Sequence, residues 1–201
     1  MNIFFDTEFT GLHKDTKLIS IGMVAEDGKK FYAEFTDYDI DKCRDDEWLS
    51  KYVIDNLLLT NIDNGSGTNL TLADGTIIDM YIKGDKTAIR NGIVDFIYPY
   101  HAPELEKIQL VSDCSHYDMV LFIDIFGSAF QMPLYISPVC YDINNDIAKF
   151  LNIPFHDAFD ISREVFIDKI ANKNYSTNLK HNALYDAIVI KDIYDAVRKF
   201  K

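Results

Sequence analysis

The chain has 201 residues, 48% of them hydrophobic and 26% charged, enough to bury a core, and its formal net charge is −12. That acidity argues against a general nucleic-acid coat, which needs a basic surface to displace counterions. No uncharged apolar run reaches the ~18 residues of a membrane span, and no basic segment with a cleavable apolar region opens the chain, so the reading is a soluble, cytoplasmic protein. Cys43, Cys114 and Cys140 lie too far apart for a zinc site and are odd in number, which suits ordinary thiols in a reducing compartment.

The first element is a strand ending in "FFDTEFTGL". At a period of two, Asn2, Phe4, Asp6 and Glu8 share one face while Ile3, Phe5 and Thr7 share the other. Two more strands, Leu18 to Ala25 and Lys30 to Phe35, are joined by the Asp27-Gly28 turn and complete an antiparallel meander. A helix is expected from about Asp45 to Leu59, with Trp48, Leu49, Val53 and Leu57 at helical spacing. Residues 61–84, rich in turn formers and β-branched side chains, read as a loop and an inserted hairpin. A helix near Thr87 to Tyr98, a strand from Lys107 to Ser112 and a nearly all-apolar helix in "HYDMVLFIDIFGSAF" follow. A short strand around Pro138 to Tyr141 comes next, then helices at Asn145 to Leu151, Ile161 to Ala171 and Ala183 to Phe200. His156 to Asp160 reads as a loop entering a helix. Strands first, then strands alternating with helices, predict an α/β fold with a mixed sheet in a single domain, 1–201.

The last helix carries an apolar stripe of Ile190, Ile193 and Val197, and one step of four back from Ile190 lands on Asp186. By the same arithmetic Asp118 shares a stripe with Phe122 and Ile125. A carboxylate at the edge of an apolar surface needs compensation, because burying even a merely polar group costs on the order of 2 to 7 kcal/mol. Singly, Asp6, Glu8, Asp118 and Asp186 would each be satisfied by a cap or a distant basic side chain. Together they ask for divalent cations, which take oxygen ligands. Five residues of helix turn through about 500°, so His181 shares no helical face with Asp186. Asn182 is a good N-cap, which places His181 just outside the helix, where it can approach a metal-bound water without being a ligand.

"DTEFTGL" at Asp6, "SHYDMVLF" at Asp118 and "HNALYDA" at His181 and Asp186 resemble, in order, the three motifs of the DEDDh 3′-5′ exonucleases, which have a ribonuclease H-like fold. "DTEF" and the short chain look closest to small bacterial and phage exoribonucleases of the ribonuclease AS type. The resemblance spans Asp6 to Asp186 and leaves the hairpin outside the shared core. It departs from the family at Asp113-Cys114-Ser115, where members carry an Asn-rich segment, and this leaves Asp113 as a rival to Asp118.

The resemblance implies a mixed sheet flanked by helices and two divalent cations, Mg2+ or Mn2+. Asp6, Glu8 and Asp186 would hold one cation; Asp6 and Asp118 would serve the second; His181 would be the general base. The implied reaction releases 5′-mononucleotides from the 3′ end of single-stranded nucleic acid, RNA being preferred, with no membrane partner. A single-stranded DNA exonuclease and a non-catalytic nucleic-acid-binding module remain the alternatives, and a homodimer is compatible with the family. Phe9, Thr10, Gly11 and Leu12 are placed at the terminal nucleotide, with Phe9 or Leu12 against its base. Arg163, Lys169, Lys173 and Lys180, in the basic C-terminal stretch, are candidates for substrate phosphates.

Overall fold

The structure is a computed structural model, described here for residues 1–102, 107–175 and 179–199. Three antiparallel strands open it: β1 (Asn2–Phe9), β2 (Leu18–Ala25) and β3 (Lys30–Phe35). All of β2 is buried, as expected of a strand covered on both faces. Two short helices, α1 (Ile40–Asp45) and α2 (Glu47–Tyr52), lead through a 3-10 turn (Ile54–Asn56) to the hairpin β4 (Gly65–Thr71) and β5 (Ile77–Gly84). Then come α3 (Lys86–Ile97), β6 (Gln109–Ser112), α4 (Ser115–Phe126), β7 (Tyr141–Asp142) and α5 (Asn144–Leu151). The helices α6 (Phe155–Phe159), α7 (Arg163–Ala171) and α8 (Ala183–Lys199) complete the described elements. The strands form one mixed seven-stranded sheet in the order β4-β5-β3-β2-β1-β6-β7, with β1 parallel to β6.

Alternation along β1 sorts the core into two layers. Ile3 and Phe5 pack with α3 and α4, through residues such as Ile93 and Phe122. Phe4 points to the other face, where Ile167 of α7 and Ile190 and Ile193 of α8 cover it. The hairpin is confirmed, but β5 also pairs in parallel with β3, so the insertion lengthens the sheet at its edge. Among the described residues no helix is long and apolar enough to cross a membrane.

Several expectations are corrected. The single helix expected over Asp45 to Leu59 is realised only as α2: Asp46, with extended backbone, caps its start by accepting from the Leu49 amide, and after Tyr52 the chain turns into the 3-10 segment Ile54–Asn56. A side chain that bonds the backbone in this way competes with helix propagation. The apolar helix stops at Phe126 because Gly127 adopts φ 85°, and Val120 remains exposed on its outer face. β6 starts at Gln109 and β7 sits at Tyr141–Asp142, each shifted from its expected bounds. Residues 155–159, in the segment read as a loop entering a helix, already form the helix α6. Phe200, the expected end of the last helix, lies outside the described residues.

Gly22 determines where α8 can lie. A Cβ at this position would stand 2.3 Å from the Ala183 carbonyl oxygen and from the Leu184 backbone. Gly22 is also the register partner of Asp6, so the first turn of α8 is seated directly beside the carboxylates of β1. Backbone atoms cannot yield as a side-chain tip can. Gly22→Ala is therefore expected to cost about 1 to 3 kcal/mol of stability or more, as overpacking does. Urea denaturation of the two proteins checks this; an unchanged midpoint would contradict the close seating.

Candidate active site

The site lies at the C-terminal ends of the parallel strands β1 and β6, the position where open α/β sheets present their crevice. Asp6 and Glu8 project from β1 toward the α8 side of the sheet and are 9% and 8% exposed. Asp186, in the first turn of α8, is half-buried and accepts from the backbone N–H of His181 at 3.0 Å. Asp118, in the first turn of α4, is buried and reaches β1 from the other layer. It accepts from the Thr7 amide at 3.2 Å, from Thr7 Oγ1 at 2.6 Å and from Ser112 Oγ. The alternation that turns Asp6 and Glu8 one way turns Thr7 toward α4, so adjacent residues of one strand reach acidic groups on both layers.

These residues form two adjoining groups. The donor atoms of Glu8, His181 and Asp186 lie within 4.8 Å of one another, and so do those of Asp6, Asp113 and Asp118. The four predicted carboxylates and His181 are thus brought together, and Asp113 joins them. Asp113 is distinguished from Asp118 by its partner, because Arg163 Nε donates to it at 2.9 Å. The ion pairs among the described residues all involve carboxylates other than Asp6, Glu8, Asp118 and Asp186.

Uncompensated charge shifts the acidities. Burial, then the neighbouring carboxylates Asp118, Glu8 and Asp186, raises the pKa of Asp6 well above its usual range. Burial, followed by Asp186 and Asp118, does the same for Glu8. Burial, then Asp113 and Glu164, raises Asp186, while the His181 amide opposes the rise. Asp118 is pushed up to about 7 by burial, against the hydrogen bonds from Ser112 and Thr7. An all-oxygen set of mutually repelling carboxylates fits hard divalent cations, which would supply the missing positive charge. Asp6, Glu8, Asp118 and Asp186 are the residues that would hold them.

His181 lies outside α8 with φ 65°, and Asn182 caps the helix by accepting from the Tyr185 amide at 3.2 Å. Burial, then Lys180, lowers the His181 pKa below its usual 6.5. Phe9 stacks on Tyr117 with ring centroids 5.8 Å apart, whereas Leu12 is 70% exposed. Thr10 and Gly11 are tied to the following turn through the Thr16 and Lys17 contacts. Arg163 is not available as a phosphate contact: besides Asp113 it holds Asn144 Oδ1 and the carbonyls of Ala158 and Ile161. Lys173 pairs with Asp192 at 2.6 Å.

Sequence reasoning missed three neighbours of the site: the Arg163 partner of Asp113, the buried Glu164 close to Asp186 and His181, and the aromatic contacts of His181 with α2. None has a spacing signal, because α7, which carries Arg163 and Glu164, and α2, which carries the aromatic rings, are far in sequence from the residues they meet.

No family model matches the chain. Over 57 residues it is 42% identical to two curated 3′-5′ exoribonucleases of Mycobacterium tuberculosis, from strains CDC 1551 and H37Rv. The match covers 28% of this chain and spans a third of the relatives' length, 33%. Among solved structures, the nuclease domain of 3′hExo, a DEDDh family member bound to rAMP, superposes with a TM-score of 0.61 at 15% identity, covering 99% of this chain and 90% of that one. A 3′-exonuclease structure concerned with the histone mRNA stem-loop gives 0.62 at 15% identity, covering 99% and 80%. The zinc-bound ExoI–ssDNA complex of E. coli gives 0.53 at 13% identity, covering 100% and 40%. The fold is therefore that of the ribonuclease H-like α/β class. Within that class it is a fold shared with the nuclease domain of 3′hExo, a DEDDh family member, and with other 3′-exonuclease structures.

The raised carboxyl pKa values set the sign of the pH dependence. Protons are held more tightly in the folded than in the unfolded chain, so this contribution is complete below the ordinary carboxyl range and is lost as pH rises through the folded values, about 7 for Asp118. The metal-free melting temperature is expected to fall between about pH 5 and pH 8 on this account. Mn2+ or Mg2+ should raise it most at the alkaline end, where the ligands are deprotonated, each bound cation adding about 2.7 kcal/mol of stability at a hundredfold excess over its Kd. Thermal denaturation with chelator or Mn2+ across that range checks both trends, and Asp6→Asn should flatten them. A metal-independent curve would contradict the site.

Proposed function

We propose that the chain is a divalent-metal-dependent 3′-to-5′ exonuclease that trims single-stranded RNA to 5′-mononucleotides, with residues 1–201 working as one domain. The observation that carries this reading is the convergence of Asp6, Glu8, Asp118 and Asp186 with His181, while none of the ion pairs among the described residues involves these four carboxylates. The fold likeness and the partial identity to two exoribonucleases support it. A pair of bound cations would supply the activation of the attacking water and the stabilisation of the leaving 3′ oxygen.

The chain's own groups would do the rest. His181, neutral at physiological pH and turned out of the helix by its left-handed backbone, would take the proton of the attacking water. Its amide fixes one oxygen of Asp186, and Thr7 and Ser112 fix Asp118, so both carboxylates keep their orientation. Leu12, exposed in the turn that follows β1, would wedge against the terminal base. Phe9 already presents a ring face to Tyr117, which makes it a support for that turn. Preference for RNA follows the named activity of the relatives, and DNA cleavage is the alternative that the assay separates.

A 5′-labelled RNA and its DNA counterpart, incubated with Mg2+, Mn2+ or chelator, test the proposal. A metal-dependent ladder shortening from the 3′ end of RNA is expected, abolished in Asp6→Asn and reduced about 10²- to 10⁴-fold in His181→Ala, the usual worth of a general base. Because the His181 pKa is lowered, activity should persist at pH 6.5 and fall only at more acidic pH. Cleavage of DNA alone would reassign the substrate. No cleavage of either strand, with metal still bound, would favour a binding module.

A further inference from the structure

Residue 181 is a non-glycine residue in left-handed backbone, φ 65°, a conformation that persists only where the surroundings over-determine it. Part of that determination comes from the segment after β3. Asn56 Nδ2 donates to the Lys180 carbonyl at 3.3 Å, and Asn182 Nδ2 donates to the Asn56 carbonyl at 2.8 Å. The residues on both sides of His181 are thus fastened to one asparagine. The imidazole itself meets α2: its ring centroid is 4.9 Å from that of Trp48, at 65°, and 6.5 Å from that of Tyr52, at 72°. Both are edge-to-face approaches, the favoured arrangement for such rings.

Trp48 is 49% exposed and Tyr52 39%. A large aromatic side chain left half in solvent contributes less to the core than a buried one, and here its ring lies against the imidazole. We propose that Trp48 is a positioning residue, which holds the His181 ring in the orientation needed for proton transfer, with Asn56 fixing the backbone beneath it. This role rests on the nuclease reading above. It gives α2, which contributes none of the carboxylates, a part in the reaction.

The test compares Trp48→Ala and Trp48→Phe with the unaltered protein on the labelled RNA, alongside metal-dependent melting. Trp48→Ala is expected to lower kcat about 10- to 100-fold with KM changed less than about twofold, since small misplacements of a reacting group carry such losses. Trp48→Phe, which keeps an aromatic ring against the imidazole, should recover most of the rate, and both variants should keep the Mn2+-induced rise in melting temperature. Trp48 is the chain's one tryptophan, so its fluorescence reads the contact directly and should change in His181→Ala. Full kcat in Trp48→Ala, equal losses in the Ala and Phe variants, loss of the metal response, or emission indifferent to His181→Ala would each overturn the role while leaving the nuclease reading intact. No cleavage by the unaltered protein would overturn both.

Discussion

The approach of α8 to the sheet at Gly22 is the constraint on which the site depends. Ala183 and Leu184 occupy the space where any other residue would carry its Cβ, and Gly22 is paired in register with Asp6. The contact sets the depth of the helix, and through it the place of Asp186 beside Asp6 and Glu8. The stripe of Ile190, Ile193 and Val197 then buries the rest of α8 against the same sheet face. Hydrophobic burial supplies the driving force and one missing methyl supplies the position. A small displacement of α8 would move Asp186 relative to β1 and disperse the charge cluster.

Keeping that cluster together works against the electrostatics. Each of the four carboxylates is raised in pKa first by burial, and neighbouring carboxylates add to the effect. The cost is tolerated because packing on both faces of the sheet is independent of the charges, and because protons or cations can neutralise them. Asp113 shows the other solution. Its charge is met by Arg163, which is itself held by Asn144 and two carbonyls, so this carboxylate is part of the frame between α4, α5 and α7.

Much of this was legible in the sequence because it rests on periodicity. The two faces of β1 follow from a period of two, and the inward placement of Asp118 and Asp186 follows from steps of three and four along α4 and α8. The position of His181 outside α8 was legible from the capping propensity of Asn182. The breaks in 45–59 were not, because the apolar spacing suits one long helix, whereas the Asp46 cap on Leu49 starts α2 afresh and the chain leaves α2 at Tyr52 for a 3-10 turn. The contact of Trp48 with His181 was equally hidden: helical spacing assigned Trp48 to the buried face, whereas tertiary packing leaves it half exposed against a loop from the other end of the chain. Pairings between distant elements, including Arg163 with Asp113, leave no local pattern to read.

The distribution of basic groups constrains how a polyanion could be received. The chain is acidic overall, Arg163 is committed to the frame, Lys173 is paired with Asp192, and Lys191 is paired with Asp195 at 2.6 Å. Long-range attraction of nucleic acid is therefore weak, and screening over about 8 Å at physiological salt weakens it further. Apart from the Lys180 charge that acts on Asp186, positive charge at the carboxylate cluster would have to come from bound cations, which would act on the phosphate nearest the reacting bond more than on those beyond it. Such an arrangement holds the end of a strand more firmly than its body. For the nuclease proposed above it would favour release after each cleavage over continuous tracking along a long chain, so the same carboxylates that would bind the metal would also set how the substrate is engaged.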